Sequence, residues 1–347
     1  MSEFKNIIVI GASAGGFPVL QNIIKGLDGS IDAAVVIVLH ISRKSNSVNI
    51  SELFQRHTSL KCRVAADGMA LKKGYVYIAP PDHQLMVTEN VLRVNQGPHE
   101  NKYRPSIDVL FRSAAVNFGN RAIGVILTGL LEDGTSGMFA IKRTGGRCIV
   151  QNPDDAEYSD MPNSVLNKME VDFKGSPTEI SSILTAMTER ELPPAVPIPE
   201  DIKIEAEITE KMTSKIDQLA QIADHSDFVC PECGGGLWSI KNDPVHRYRC
   251  HTGHVYTESL LHDIQEEKIE ESIWVSIRML EEKLNLLKLR ANRPDEPEAG
   301  LYSLYQRRID DTAMHINRLK KFLVRLNEDN SKFKPLSNGT DDLTEDV

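Results

Sequence analysis

Short apolar runs alternate with amphipathic stretches along roughly the first 190 residues of the chain. The runs predict strands, and they read IIVI at 7–10, AAVVIVL at 33–39, YVYIA at 75–79, AIGVIL at 122–127 and RCIVQ at 147–151. Strands that are apolar at nearly every position are typical of a parallel sheet with both faces buried. Helical patterns lie between these runs, so this part predicts an α/β fold with a doubly wound, mostly parallel, Rossmann-like sheet.

The pattern changes in the middle of this part and again after it. The stretch YVYIAPPDHQLMVTENVLRVNQG at 75–97 predicts an inserted antiparallel hairpin, because its short strands are joined by turn residues. The proline-rich ELPPAVPIPED at 191–201 predicts a stiff linker, and a short amphipathic helix follows at about 207–223. We therefore expect an α/β domain at 1–190, a linker with a short helix at 191–227, a small cysteine-containing module at 228–262, a helical hairpin at 263–328 and a disordered acidic tail at 329–347.

Two heptad-like stretches near the C-terminus predict the two helices of that hairpin. Apolar residues recur there at spacings of three and four, as on one face of a helix: Ile269, Ile273, Ile277, Leu280, Leu284 and Leu287 in the first, and Ile309, Ala313, Ile316, Leu319, Leu323 and Leu326 in the second. The polar faces are acidic rather than basic, which argues against binding to anionic lipid. We expect the hairpin to pack on itself, and it could also form a homo-oligomer with a second copy.

Composition and charge narrow the class of protein. Hydrophobic residues make up 41% and charged residues 26% of the 347, as in globular proteins. The chain has no apolar run of about 18 residues and no secretory signal pattern, so we expect a cytoplasmic protein without membrane insertion. Residues 1–193 carry 20 basic and 20 acidic residues, so the net charge of -9 lies in residues 194–347. This acidic half argues against a nucleic-acid partner.

The turn GASAGG at 11–16 lies between the first predicted strand and the first predicted helix. It resembles a dinucleotide-binding turn, but Ser13 stands where such a turn needs glycine to let a pyrophosphate approach. The turn also matches Gly-x-Ser-x-Gly, the nucleophile elbow of serine hydrolases, in the strand-to-helix context that an elbow requires. A third interpretation is that Ser13 only caps the helix. The turn by itself leaves the last two interpretations open.

Two other predicted strands end in residues that would complete a hydrolytic site. His40 follows AAVVIVL, and Asp133 follows AIGVIL and a short loop. The carboxyl ends of parallel strands share one edge of a sheet, so Ser13, His40 and Asp133 are expected together as nucleophile, base and orienting carboxylate. The order Ser, His, Asp and an elbow at the first strand disfavour the α/β-hydrolase fold.

These residues lie within sequence blocks that resemble the catalytic domain of CheB-type protein-glutamate methylesterases, the chemotaxis receptor demethylases. The blocks are IGASAGG, LHIS, ADGMALKKGYVYIAPPDHQLMV, YRPSIDVLFRSAA, GVILTGLLEDGTSGM and MPNSV, in order over about residues 5–190. The resemblance implies hydrolysis of glutamate methyl esters on a receptor or signalling protein by a Ser13–His40–Asp133 triad without a cofactor. It also implies a pathway with a cognate methyltransferase, and for some relatives the deamidation of glutamine.

The resemblance implies roles for four more positions and raises one doubt. Backbone amides near Ala14 and near Leu130 or Leu131 would hold the oxyanion, and Arg104 would contact substrate or form a surface salt bridge. The family usually has threonine in place of Ala14 and glycine in place of Leu131, so substrate fit could differ. The alternative is a docking scaffold with little turnover. A receiver domain, common in relatives, is not expected ahead of the first strand.

Three of the five cysteines cluster in the acidic half of the chain. Their spacing is Cys230-x2-Cys233-x16-Cys250-x3-His254, which predicts a zinc-ribbon-like module with a four-coordinate structural zinc. His251 is the other candidate for the fourth ligand, but it is adjacent to Cys250. The remaining interpretation is a metal-free turn module with incidental cysteines.

Overall fold

The structure, a computed structural model, describes residues 4–43, 45–212, 215–292 and 299–333. The chain forms two compact units, Met1–Leu260 and Leu261–Val347. The first unit therefore holds the α/β part together with the segment that follows it to residue 260. None of the described helices combines the length and the apolar character needed to cross a bilayer.

Nine strands lie in the α/β part of the first unit as described: β1 Asn6–Ala12, β2 Ala33–Leu39, β3 Lys61–Val64, β4 Tyr75–Ile78, β5 Gln84–Val87, β6 Leu92–Asn95, β7 Ala122–Ile126, β8 Arg147–Gln151 and β9 Phe173–Gly175. Seven of them form a parallel sheet at its centre, in the order β3-β4-β2-β1-β7-β8-β9. The other two, β5 and β6, pair as a separate antiparallel hairpin. The predicted doubly wound sheet and its inserted hairpin are confirmed.

Helices cover both faces of this sheet: α1 Gly16–Gly26, α2 Ser47–Gln55, α3 Ile107–Phe118, α4 Thr135–Arg143, α5 Asp160–Lys168 and α6 Pro177–Glu189. Alternate residues of β1 enter two different cores, with Ile7 and Val9 on one face and Ile8 and Ile10 on the other. Residues at the centre of the sheet are therefore fully buried, which accounts for the continuous apolar runs of the central strands.

The segment after the sheet continues the first unit with two helices and a second sheet. They are α7 Glu200–Lys211, α8 Ile216–Ile222, β10 Ala223–Val229, β11 Gly236–Ile240, β12 Arg247–Cys250 and β13 Val255–Thr257, the four strands forming an antiparallel sheet in chain order. The sequence predicted one helix at about 207–223, but α7 ends where Met212 takes a left-handed backbone conformation (φ 54°). Ile202 of α7 joins the core of the parallel sheet, and Asp201 pairs with Arg143 at 2.8 Å. The segment predicted as a linker is therefore docked on the α/β part.

The second unit contains most of helix α9, Glu258–Ala291, and all of α10, Ala299–Phe333. Ile277, Ile316 and Leu323 are buried between them, and partly buried leucines and isoleucines of the predicted stripe surround these three. Ile269, which the spacing placed on the same stripe, is instead 49% exposed. Helix α10 continues five residues past the predicted end at 328, and residues 334–347 of the predicted tail lie outside the described part of the chain.

Candidate active site

Ser13 is the first residue after β1, in the turn that leads into α1. Its backbone N–H donates to the carbonyl of Thr128 at 3.0 Å, so the turn is tied to the end of the neighbouring strand β7. Gly15 takes a left-handed conformation (φ 71°), and a Cβ there would lie 2.8 Å from a carboxylate oxygen of Glu157. The left-handed conformation therefore favours glycine here, and a side chain would also have to displace the exposed Glu157. Ala14 follows Ser13 directly, and its carbonyl accepts a hydrogen bond from Thr128 Oγ1 at 3.0 Å.

His40 is the first residue after β2, and its backbone N–H donates to the carbonyl of Ala12, the residue before Ser13. The imidazole side chain is only 5% exposed, and its Nε2 lies 3.1 Å from Asp133 Oδ2. Its Nδ1 is buried and has no hydrogen-bond partner among the described residues. With Nε2–H donating to the carboxylate, Nδ1 carries the lone pair, so it is the ring atom that can accept a proton.

Asp133 lies in the loop after β7 and accepts several hydrogen bonds although it is fully buried. Its Oδ2 accepts from the backbone N–H of Ile107 at 2.7 Å as well as from His40, and its Oδ1 accepts from Ser106 Oγ at 2.9 Å and Asn101 Nδ2 at 3.1 Å. Burial by itself would raise the pKa of Asp133, but the hydrogen bond and charge of His40 and the N–H donors outweigh it and lower the pKa. The side chain is therefore held as a carboxylate.

Tyr103 contacts two members of the predicted triad and was not singled out from the sequence. Its ring stacks on the imidazole of His40, with centroids 3.6 Å apart and planes inclined by 9°. Its side chain also lies near that of Ser13, which opposes the rise in the pKa of Tyr103 that burial and the charge of Asp133 cause. The structure thus brings Ser13, His40 and Asp133 to one edge of the sheet, with Tyr103 against the first two.

Asn101 and Asp108 form a further layer behind Asp133. Asn101 Nδ2 donates to Asp108 Oδ2 at 2.9 Å as well as to Asp133, so it bridges two buried carboxyl groups. Burial and the nearby charge of Asp133 raise the pKa of Asp108 well above its usual value. The signal for this layer is the polar stretch ENKYRPSID at 100–108, which combines turn residues with the start of α3.

The loop after β7 passes directly over Ser13. A Cβ added to Gly129 would lie 2.7 Å from the Cβ of Ser13, so a side chain at this position would displace the serine. Leu130 and Leu131 follow it and are 37% and 43% exposed. Leu131 has a positive φ of 65°, a conformation that favours glycine, which is the residue the family usually has here. Leu130 and Leu131 thus directly follow a residue that packs against Ser13, and they present apolar side chains to solvent.

Arg104 is paired with Asp82 and is not among the contacts of the three triad residues. Its Nε and one terminal nitrogen both lie close to Asp82 Oδ1, at 3.0 and 2.7 Å, and another terminal nitrogen donates to the carbonyl of Gly97 at 3.0 Å. Of the two roles that the sequence left open, the structure contains the salt bridge.

The four residues of the Cys/His motif come together at the tip of the four-stranded sheet. Their ligand atoms all lie within 4.8 Å of one another, with 3.8 Å between the sulfurs of Cys233 and Cys250 and 3.7 and 3.6 Å from His254 Nδ1 to the sulfurs of Cys230 and Cys250. A tetrahedral zinc with Zn–S bonds of about 2.3 Å places its sulfur ligands about 3.8 Å apart. The other ring nitrogen of His254 lies 3.1 Å from Glu232, the carboxylate partner usual for metal-bound histidine. Donor set and spacing thus fit zinc.

The fold is that of a doubly wound α/β protein. At one edge of its sheet, residues that follow three strands form a hydrolase-like group of serine, histidine and aspartate. The family model described as CheB methylesterase matches residues 8–184, and the chain belongs to this family.

Individual relatives agree with this assignment. A Leptospira interrogans protein, provisionally named protein-glutamate methylesterase/protein-glutamine glutaminase, is 34% identical over 53% of this chain and 96% of its own length. A Methanosarcina mazei protein-glutamate methylesterase/protein-glutamine glutaminase is 32% identical over 50% of this chain, which spans only 49% of that relative. The crystal structure of the Thermotoga maritima CheB methylesterase catalytic domain superposes with a TM-score of 0.51 at 30% identity, covering 52% of this chain and 98% of that one.

Proposed function

We propose that this chain is a serine hydrolase that removes methyl groups from methylated glutamate side chains of a receptor or signalling protein. One observation carries the proposal: His40 is held by Asp133 through Nε2, and its buried Nδ1 has no hydrogen-bond partner among the described residues, at the edge where Ser13 follows β1. The family and the names of the relatives supply the substrate class.

In the proposed reaction, Ser13 Oγ attacks the ester carbonyl while His40 Nδ1 takes the hydroxyl proton. The tetrahedral intermediate expels methoxide, which takes that proton from His40 and leaves as methanol. Water then attacks the acyl-enzyme with His40 again as base, which releases the glutamate and restores the serine. Asp133, whose pKa is lowered, stays ionised and stabilises the imidazolium that forms twice in the cycle.

The negative oxygen of the intermediate needs hydrogen-bond donors from the backbone. The N–H groups of Ala14, at the N-terminus of α1, and of Leu130 or Leu131, in the loop over Ser13, are the candidates. The exposed side chains of the two leucines would then meet the residues that flank the methylated glutamate. Glutamine deamidation, named for the Leptospira relative, would use the same groups with ammonia as the leaving group.

Methanol release from a methylated receptor preparation tests this proposal. The wild-type chain should release methanol and Ser13→Ala should not, whereas Ser182→Ala, which changes an exposed serine on α6, should match the wild type. Equal release by the wild type and Ser13→Ala would overturn the assignment. The docking scaffold that the sequence left as an alternative predicts no release by any of the three proteins, and no observation favours it.

We also propose that Cys230, Cys233, Cys250 and His254 hold a structural zinc. With four protein ligands the site would be closed, so the metal would stabilise the β12–β13 turn and take no part in hydrolysis. Metal analysis should give one equivalent of zinc for the wild type and none for Cys250→Ser. A metal content equal in the two proteins would contradict this assignment.

A further inference from the structure

Residues 99–103, here called the bridging segment, lie between the four-stranded sheet and the triad. The backbone N–H of Asn101 donates to the carbonyl of Val255 at 2.9 Å, and that of Val255 donates to the carbonyl of His99 at 3.3 Å. Glu100 and Val255 consequently form a parallel β-bridge. The bridging segment is thus attached to β13, the last strand of the zinc-ribbon-like sheet, along its edge.

A buried ionic cluster attaches the same segment a second time. Glu100 is 1% exposed, and its carboxylate accepts from Arg249 of β12 at 3.0 Å, from Arg112 of α3 at 2.9 Å and from Thr209 of α7 at 3.2 Å. The three donors come from three different parts of the first unit. Charge-assisted bonds of this kind fix geometry, because breaking one leaves the buried charges of the cluster only partly compensated.

At its other end the bridging segment reaches the reacting groups. Asn101 donates to Asp133, and Tyr103 stacks on His40. The backbone of Tyr103 is in turn paired with that of Glu100 in both directions, at 2.9 and 3.2 Å. A displacement of Glu100 would therefore move both side chains that contact the triad.

We propose that the zinc-ribbon-like sheet is a positioning element for the triad: Arg249 and Val255 hold the bridging segment so that Asn101 and Tyr103 keep Asp133 and His40 in their reactive arrangement. This inference rests on the proposed function and assigns a role in it to a module outside the part of the chain that the family model matches.

Residues of the Cys/His motif are adjacent in sequence to both residues that hold the bridging segment, Arg249 and Val255. Cys250 follows Arg249, His254 precedes Val255, and the N–H of Cys250 donates to the carbonyl of His254 at 3.0 Å, which closes the β12–β13 turn. The metal proposed there would hold this turn closed. Loss of the metal should loosen the bridging segment, which lies outside the motif itself.

The test compares two substitutions on one strand of the full-length protein. Arg249→Met removes one of the two arginines that bind Glu100, and Arg247→Met removes an equally buried arginine that binds Glu205 and Asp243. Glu205 also lies 3.4 Å from Arg249, so the control disturbs the same ionic cluster while it leaves both arginines on Glu100. We expect Arg249→Met to lower kcat for methanol release about 10- to 100-fold with little change in KM. It should also speed amide hydrogen exchange in the 99–103 peptide and slow labelling of Ser13 by a fluorophosphonate. Arg247→Met should change each of these three readouts much less than Arg249→Met does.

Equal effects of the two substitutions on all three readouts would overturn the inference. If the wild type releases no methanol, the proposed function fails, and hydrogen exchange and Ser13 labelling still decide the positioning role. If Arg249→Met does not fold, Cys250→Ser takes its place. It should raise exchange in the 99–103 peptide, and unchanged exchange there would count against the positioning role.

Discussion

Replacing Asp133 by asparagine removes one negative charge with almost no change in shape, yet the structure predicts a large effect. Both carboxylate oxygens accept hydrogen bonds, Oδ2 from the backbone N–H of Ile107 and from His40, Oδ1 from Ser106, Asn101 and the backbone N–H of Asp108. An amide has one N–H₂ group, which cannot accept and must face one of these two sets of donors, each of which includes a backbone N–H. At least one buried donor is then left unsatisfied whichever way the amide lies.

The effect of Asp133→Asn can be estimated both for the free energy of unfolding and for kcat. One unsatisfied buried donor lowers the free energy of unfolding by about 1–3 kcal/mol. Activity should fall more, because the neutral amide no longer stabilises the imidazolium or fixes its tautomer, and the corresponding change in serine proteases lowers kcat about 10⁴-fold. Urea unfolding followed by circular dichroism measures the first quantity, and methanol release measures the second.

Asp82→Asn is the matched control, since it removes a carboxylate that pairs with Arg104 in a partly exposed site. We expect this change to cost under about 1 kcal/mol, as is usual for such pairs, and to leave kcat within a few-fold of wild type. An Asp133→Asn protein that is as stable as Asp82→Asn and retains kcat within about tenfold of wild type would show that acceptors at both oxygens are unnecessary, contrary to this prediction.

Two further predictions concern Leu131 and Asp108. Leu131 has a φ of 65°, a conformation that only glycine adopts without strain, so Leu131→Gly should be about 1 kcal/mol more stable than Leu131→Ala. Thermal unfolding measures the difference, and equal midpoints for the two proteins would contradict the prediction. The pKa of Asp108 is raised by burial and by the charge of Asp133, so the folded protein keeps a proton there that the unfolded chain loses above about pH 4. The free energy of unfolding of the wild type, relative to that of Asp108→Asn, should therefore fall as pH rises from about 4. The fall should reach about 1.4 kcal/mol per pH unit and stop when the folded-state pKa is reached. Urea unfolding of both proteins across this range measures the slope, and a difference that stays constant with pH would contradict the raised pKa of Asp108.

The fold was predictable where burial is uniform along a strand. Strands β1, β2 and β7 are buried at every position, so their sequences are unbroken apolar runs. The edge strands β3 and β9 were missed, because they are only four and three residues long and carry exposed lysines. Their place in the sheet comes from pairing with a neighbouring strand rather than from their own pattern.

Some residues of the candidate site could be predicted from the sequence and others could not. Ser13, His40 and Asp133 follow strands whose order in the sheet can be inferred, so their meeting at one edge could be predicted. Asn101 and Tyr103 lie in a loop whose position depends on contacts with Val255 and Arg249, about 150 residues away along the chain. No local pattern encodes such a contact.

The ion pair between Arg104 and Asp82 is another contact that the sequence alone does not specify. The sequence could place Arg104 near the site edge, but the partner of its guanidinium depends on where the loop before β5 lies. Asp82 in that loop has a positive φ of 58° and accepts from two nitrogens of Arg104. Residue types alone do not specify this ion pair, and a contact between Arg104 and substrate stays a prediction.

Labelling with a fluorophosphonate tests the central claim, that Ser13 is a nucleophile activated by His40, without requiring the natural substrate. The account predicts one phosphonyl group on the wild-type chain, located by peptide mass mapping at Ser13. It also predicts that Ser13→Ala takes up no label and that His40→Ala is labelled much more slowly. A wild-type chain that releases methanol but carries no label at Ser13, or is labelled at another residue instead, would contradict it.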